Sequence, residues 1–287
     1  MRGTIDIDIY RQVAVEISFR DLMAAIQLDL GDWFEYEIDR EHKIAQIGGN
    51  IEVPIRSRIG GADWVKFHLD LLGGAMHMSG APDLVPALAL GLMPTMEQSG
   101  YRAYPLVDHV SDKISAIIER YGPDKNASSR YKDLVDLVAL VTSVSIAAEP
   151  VRVALALRAA DRGTELPTQF SVPDRQLWEE GYRKLAGSSI LPIARNLDEA
   201  LVVTVPFVNP ILDGTAHGVW DPRRLVFTSD AVEIEIMNVA DGLTEETTSV
   251  INTRIERFRA SGLGRGEIGT FQPGSSARTA DGPTPEI

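Results

Sequence analysis

Cysteine is absent from this 287-residue chain. That excludes disulfides and cysteine-ligated zinc or iron–sulfur sites, and it suits a reducing compartment. No apolar run reaches the roughly 18 residues that a membrane-spanning helix needs. The N-terminus lacks a basic region followed by a long apolar segment, so the expected address is cytoplasmic, with no signal peptide and no membrane partner. Cations are the scarcer charge: 28 lysines and arginines stand against 41 acids, for a net charge of −13. That sign argues against holding nucleic acid by bulk electrostatics. It is compatible with a local basic surface drawn from Arg56, Arg58, Arg102, Lys113, Lys125, Arg130 and Lys132. Also missing are a Walker A loop, a G-x-S-x-G elbow and any internal repeat. The histidines (His42, His68, His77, His109 and His217) show no metal-ligand spacing. A G-x-G-x-x-G string from Gly264 to Gly269 follows a helical pattern rather than a strand, so it is not a dinucleotide-binding turn.

What is present begins at once. Arg2-Gly3-Thr4-Ile5-Asp6-Ile7-Asp8-Ile9 alternates as a strand, with Ile5, Ile7 and Ile9 on one face and Thr4, Asp6 and Asp8 on the other. Two neighbouring carboxylates on one face repel unless a cation lies between them, and Mg²⁺ is the usual oxygen-ligated cation. A second apolar strand, Trp64–Leu72, carries Asp70 near its end. Three carboxylates from two strand ends would suit a two-metal site for phosphoryl or nucleotidyl transfer. The plainer reading of Asp70 is a strand-end or turn acid. His68 shares the strand face of Asp70, as a supporting residue or merely a polar neighbour.

The rest of the first hundred residues reads as one mixed sheet with a helix. Ser18–Leu30 has a capping residue and helical period, ending at Gly31. Strands are expected at Phe34–Ile38, Ile44–Ile47 and Asn50–Ile59, with a Gly60-Gly61 hairpin into the Asp70 strand. Pro54 inside a strand suggests an edge or a bulge. From Pro105 the pattern turns helical: Val107–Tyr121, Ser129–Ala148, Pro150–Asp161, Pro173–Ala186 and Leu197–Val205. Fold class is therefore α+β, a sheet domain over residues 1–104 followed by a helical bundle over 105–224. Residues 225–261 give weaker signals, a strand at Ala231–Val239 and an amphipathic helix at Glu245–Arg259. The tail, Gly262–Ile287, is rich in Gly, Ser, Thr and Pro and reads as disordered.

Two helical segments carry further candidates. Lys113 could reach a triphosphate or a leaving pyrophosphate, or simply pair with Asp112 or Glu119 at the surface. In Arg130-Tyr131-Lys132-Asp133-Leu134-Val135-Asp136-Leu137 the acids lie three apart on one face. Asp136, flanked by leucines and Val138, borders the core and needs a partner, Lys113 or Arg130. Asp133 is explained as a first-turn acid at the positive end of a helix.

Taken in order, the motifs R-x-T-x-D-x-D (Arg2–Asp8), F-H-x-D (Phe67–Asp70), V-x-x-K-x-x-A (Val110–Ala116) and R-x-K-D-x-x-D-L (Arg130–Leu137) resemble the AbiEii-type nucleotidyltransferase toxins. A later Pro210–Pro222 stretch, ending G-x-W-D-P, is similar as well. The resemblance implies a DNA-polymerase-β-like sheet and metal-dependent transfer from an NTP, in some relatives to the tRNA acceptor end. It also implies a cognate antitoxin. Carried over, Asp6, Asp8 and Asp70 bind Mg²⁺, Lys113 meets the triphosphate, Thr4, Arg130 and Asp133 lie at the nucleotide, and Asp136 supports catalysis. The family places a Gly-Gly or Gly-Ser turn and a helix before the D-x-D strand. This chain starts on the strand, so it reads as truncated and is expected to bind nucleotide poorly. The competing readings are an NTP-dependent phosphotransferase on the same fold and a non-catalytic remnant that binds a partner.

Overall fold

The computed structural model describes residues 6–31, 33–47, 49–73, 78–86, 100–188, 194–229, 249–250 and 253. Residues 2–103 and 104–287 form two compact units. The first contains β1 (Asp6–Tyr10), α1 (Val15–Ala25), β2 (Phe34–Ile38), β3 (Ala45–Ile47), β4 (Asn50–Ile59) and β5 (Ala62–Leu72). A short hairpin of β6 (Asp83–Val85) and β7 (Tyr101–Ala103) follows. The second unit holds α2 (Leu106–Ile118), β8 (Arg120–Tyr121), β9 (Asn126–Ala127), α3 (Tyr131–Ser143), β10 (Ile146–Ala147), α4 (Ala148–Arg162), α5 (Arg175–Ser188), α6 (Leu197–Leu212), β11 (Val219–Asp221) and β12 (Val226–Thr228). The class is α+β with a mixed sheet.

The sheet runs β1-β5-β4-β2, with β3 also paired to β4. β1 and β5 are parallel, and the other pairs are antiparallel. Strand alternation sorts its faces. Val53, Ile55, Leu69 and Leu71 form a buried cluster with Val15, flanked by Ile9, Phe19, Leu22 and Phe67. The opposite face carries the charged residues, acids such as Asp8, Glu52 and Asp70 together with Arg56, Arg58 and Lys66. Gly60 and Gly61 both take positive φ (57° and 80°), as a two-residue hairpin turn of the primed kind requires.

Several boundaries differ from the expected ones for identifiable reasons. α1 starts at Val15, three residues before the expected cap at Ser18, because Val15 is pulled into the core and Ser18 is buried with it. It ends at Ala25 rather than Leu30; Leu28 and Leu30 lie 63% and 66% exposed with nothing to pack on. Pro54 is neither at an edge nor at a bulge: β4 is central and the irregularity falls at Ser57/Arg58. Its carbonyl accepts from the Asp39 amide (2.9 Å) just past the end of β2, so its missing N–H falls in the gap between β2 and β3.

In the second unit α3 stops at Ser143, and Val144 turns extended so that Ile146 and Ala147 pair with Trp220 and Val219. The Trp220 indole donates to the carbonyl of Val141 (2.7 Å) at the helix end. α6 runs past Val205 through Pro206 and Pro210 to Leu212. An internal proline costs about 3 kcal/mol, which burial of Ala200, Val203, Phe207, Val208 and Ile211 outweighs. The segment expected as a strand at 231–239, most of the helix at 245–259 and the tail from 262 lie outside the described residues; Ser249, Val250 and Thr253 are helical.

Candidate functional site

The first unit supplies a row of carboxylates. Register sets Asp8 opposite Asp70 and Asp6 opposite His68 across the parallel β1–β5 pair. Glu52 of β4 stands opposite Asp70 from the other side. Partners across a ladder share a face, about 4.8 Å apart, so Asp8, Asp70 and Glu52 line up across three strands. The same alternation turns Ile9, Leu71, Ile51 and Val53 toward the core. Like charges directly opposite one another destabilise a sheet unless neutralised. The side chain of Asp6, and Thr4 altogether, lie outside the described residues. Among the described residues no three His, Asp or Glu side chains converge closely enough to hold a metal. In donor chemistry the aligned carboxylates fit a hard, oxygen-ligated ion such as Mg²⁺. Glu52 escapes a sequence reading because its place in the row depends on register; the available signal is one acid amid Ile51, Val53 and Ile55.

Beside that row lies an ion-pair network around Asp39, which is 1% exposed. Burial by itself would raise its pKa. Hydrogen bonds from His42 (2.9 Å), the Glu41 amide (3.2 Å) and Arg56 (2.7 Å), with Lys66 at 3.3 Å, hold it far below the usual carboxylate range instead. The His42 ring in turn meets that of His68 edge-on, with centroids 6.1 Å apart.

The second unit carries the other candidates. Lys113 is buried, not a surface lysine: its Nζ lies 2.8 Å from Asp136 and 3.4 Å from Asp133. Asp133 also accepts from Arg130 Nε at 2.6 Å. Two cations and two carboxylates thus balance, set by α2 and α3 packing through Ile114, Ile117, Leu134 and Leu137. Asp112 and Glu119, the alternative partners, are taken by Arg158 (2.7 Å) and Arg162. Asp133 is more than a first-turn acid, being 5% exposed and shared between Lys113 and Arg130.

The G-x-W-D-P stretch is structural. At Gly218 (φ 77°) an added Cβ would lie 2.0 Å from the Thr228 carbonyl oxygen. Asp221 accepts from the Arg223 amide in the β11–β12 turn (2.9 Å).

A family profile described as the nucleotidyl transferase AbiEii toxin of a type IV toxin–antitoxin system matches residues 2–202, and the chain belongs to that family. No curated protein matches the sequence. Among solved structures, MenT4, a nucleotidyltransferase toxin from Mycobacterium tuberculosis H37Rv, is similar at 12% identity and a TM-score of 0.39. That match covers 62% of this chain and 66% of MenT4, just under two thirds of its length. No helix among the described residues is long and apolar enough to cross a membrane.

Proposed function

We propose that the chain is a metal-dependent nucleotidyltransferase toxin of a toxin–antitoxin system, moving a nucleotide from an NTP to an acceptor. The observation that carries the reading is the register of Asp8 against Asp70 in a chain of this family. Asp6, Asp8 and Asp70 would hold Mg²⁺. A bound ion of this kind neutralises the charge that develops on the phosphate oxygens during transfer.

The remaining roles belong to the chain's own side chains. With two carboxylates already on its ammonium, Lys113 offers a triphosphate a hydrogen-bond donor more than a net charge. Arg130, 60% exposed at its side chain, supplies the open positive group, and Asp133 holds the two cations in place. Asp136, at 31%, is the carboxylate of this cluster open to a substrate hydroxyl. Thr4 completes the nucleotide contacts. The acceptor by family likeness is a tRNA 3′ end, the protein partner an antitoxin, and the compartment the cytoplasm.

Label from α-³²P-NTP should enter RNA in the presence of Mg²⁺, while label from γ-³²P-NTP should not enter RNA or protein. Label from the γ position alone would replace nucleotidyl transfer by phosphotransfer, and no label from either would leave a partner-binding remnant.

A further inference from the structure

Residues 120–132 (Arg-Tyr-Gly-Pro-Asp-Lys-Asn-Ala-Ser-Ser-Arg-Tyr-Lys) hold four cations and one acid, in a chain of net charge −13. They form the β8–β9 hairpin and run into the first turn of α3. Arg120, Lys125, Arg130 and Lys132 are all exposed. Arg120 donates to the carbonyls of Lys125 (3.2 Å) and Pro173 (2.9 Å), acceptors that leave its charge uncompensated. Among the described residues Lys125 and Lys132 have no carboxylate partner. The acids nearby are otherwise engaged, apart from Asp124 at the turn. Asp133 is shared between Lys113 and Arg130, Glu119 is paired with Arg162, and Asp174 caps α5 through the Leu177 amide.

Lys125 itself sits at φ 50°, its amide bonded to the Gly122 carbonyl (3.1 Å). Glycine or asparagine fills such a left-handed position at lower cost. The platform beneath is fixed. Ser128 donates to Ala116 O (2.6 Å), Trp178 Nε1 donates to Ser128 O (2.7 Å), and the Tyr121 hydroxyl reaches Ala116 O (3.4 Å), leaving the tyrosine 40% exposed. At the start of α3 the amides of Arg130, Tyr131 and Asp133 are bonded to Ser128 Oγ (3.2 Å), Ser129 O (2.9 Å) and Arg130 O (3.0 Å), so this turn offers its exposed side-chain cations.

We propose that the β8–β9 hairpin and the start of α3 form a phosphate-binding surface that holds a single-stranded nucleic-acid acceptor beside the Lys113–Asp136 pair. The proposal rests on the nucleotidyltransferase reading and adds where the acceptor lies. Cations spread over a hairpin and a helix turn, with an exposed aromatic ring among them, suit an extended strand with stackable bases. A compact triphosphate asks instead for donors converging on one point. Arg130 belongs to both groups, through Asp133 to Lys113, so the strand would lead to the lysine proposed for the triphosphate.

The test is titration of the full chain into a fluorescein-labelled single-stranded RNA at several salt concentrations, without NTP or metal, for wild type and for Lys125→Gly/Lys132→Gln. Glycine removes the Lys125 charge and its strain together, so the variant should melt no lower than wild type. The log Kd against log[salt] slope should shrink by about 1.4, two contacts at about 0.7 each, and KM for RNA should rise in the transfer assay with KM for NTP unchanged. Wild-type slope and affinity in the variant would overturn the proposal. So would a rise in the KM or Kd for NTP alone, which would assign the cations to the triphosphate. RNA binding that depends on these lysines, in a wild-type chain that transfers no label, would count against the transferase reading and leave the surface standing.

Discussion

Asp39 and Asp133 are buried acids held by cations, and their replacement separates two kinds of electrostatic contribution. The Asp39 carboxyl is depressed in the folded chain, so its contribution is present above the ordinary carboxylate pKa near 4. It is lost as pH falls from there through the folded value. Thermal melts from pH 7 to pH 2 should show wild type losing stability below about pH 4. Asp39→Asn should start lower at neutral pH and follow a shallower acid slope. An identical slope in both would remove Asp39 from the acid response. At Asp133, alanine leaves Lys113 with Asp136 alone and Arg130 without its acid, at a cost of about 3 kcal/mol in urea unfolding. Adding Lys113→Met should not recover that loss, because it takes from Asp136 the ammonium 2.8 Å away. Of these two residues, only Asp133 stood out in the sequence, and for a lesser reason. A first-turn acid already has an explanation in the helix dipole, whereas its burial follows from how α2 packs on α3. That Asp136 needs a partner was legible because it is hemmed in by leucines; that the partner is Lys113 rather than Arg130 is decided by the packing of α2 on α3.

Among the elements, those with a local code were read closely and those decided by packing were not. β2 and β4 have the expected bounds, since strict alternation and a Gly-Gly turn mark them without reference to the rest of the chain. α1 and α6 departed from their end signals because core burial overrode a serine cap in one and two prolines in the other. α3 was expected too long; Val144 leaves the helix to feed a strand pair with a segment more than seventy residues away. That pair depends on Gly218. Gly218→Ala places a Cβ against the Thr228 carbonyl at positive φ, where the left-handed backbone alone costs about 1–2 kcal/mol. We expect a loss of at least about 2 kcal/mol, with Trp220 fluorescence shifted as its ring leaves the Val141 carbonyl. A variant with wild-type stability would mean that β11–β12 adds little to the fold. Gly181→Ala is the parallel case, since its Cβ would fall 2.3 Å from the Tyr131 ring.

For the molecule as a whole, the candidate chemistry is carried by two clusters, one on each unit: aligned carboxylates on the sheet and a balanced lysine–arginine–aspartate group between α2 and α3. The motif order points to both sets as candidates, whereas Glu52 joins the first only through strand register. The central claim is that Asp8 serves the reaction and not the fold. It is exposed on β1, so amide replacement should leave the melting temperature unchanged. The decisive measurement is Mg²⁺-dependent incorporation of label from α-³²P-NTP into RNA by wild type and Asp8→Asn, side by side. The account predicts incorporation by wild type and a loss of at least about 100-fold in the variant, roughly 2.7 kcal/mol of barrier, at equal melting temperature. Equal incorporation by the two proteins would contradict it.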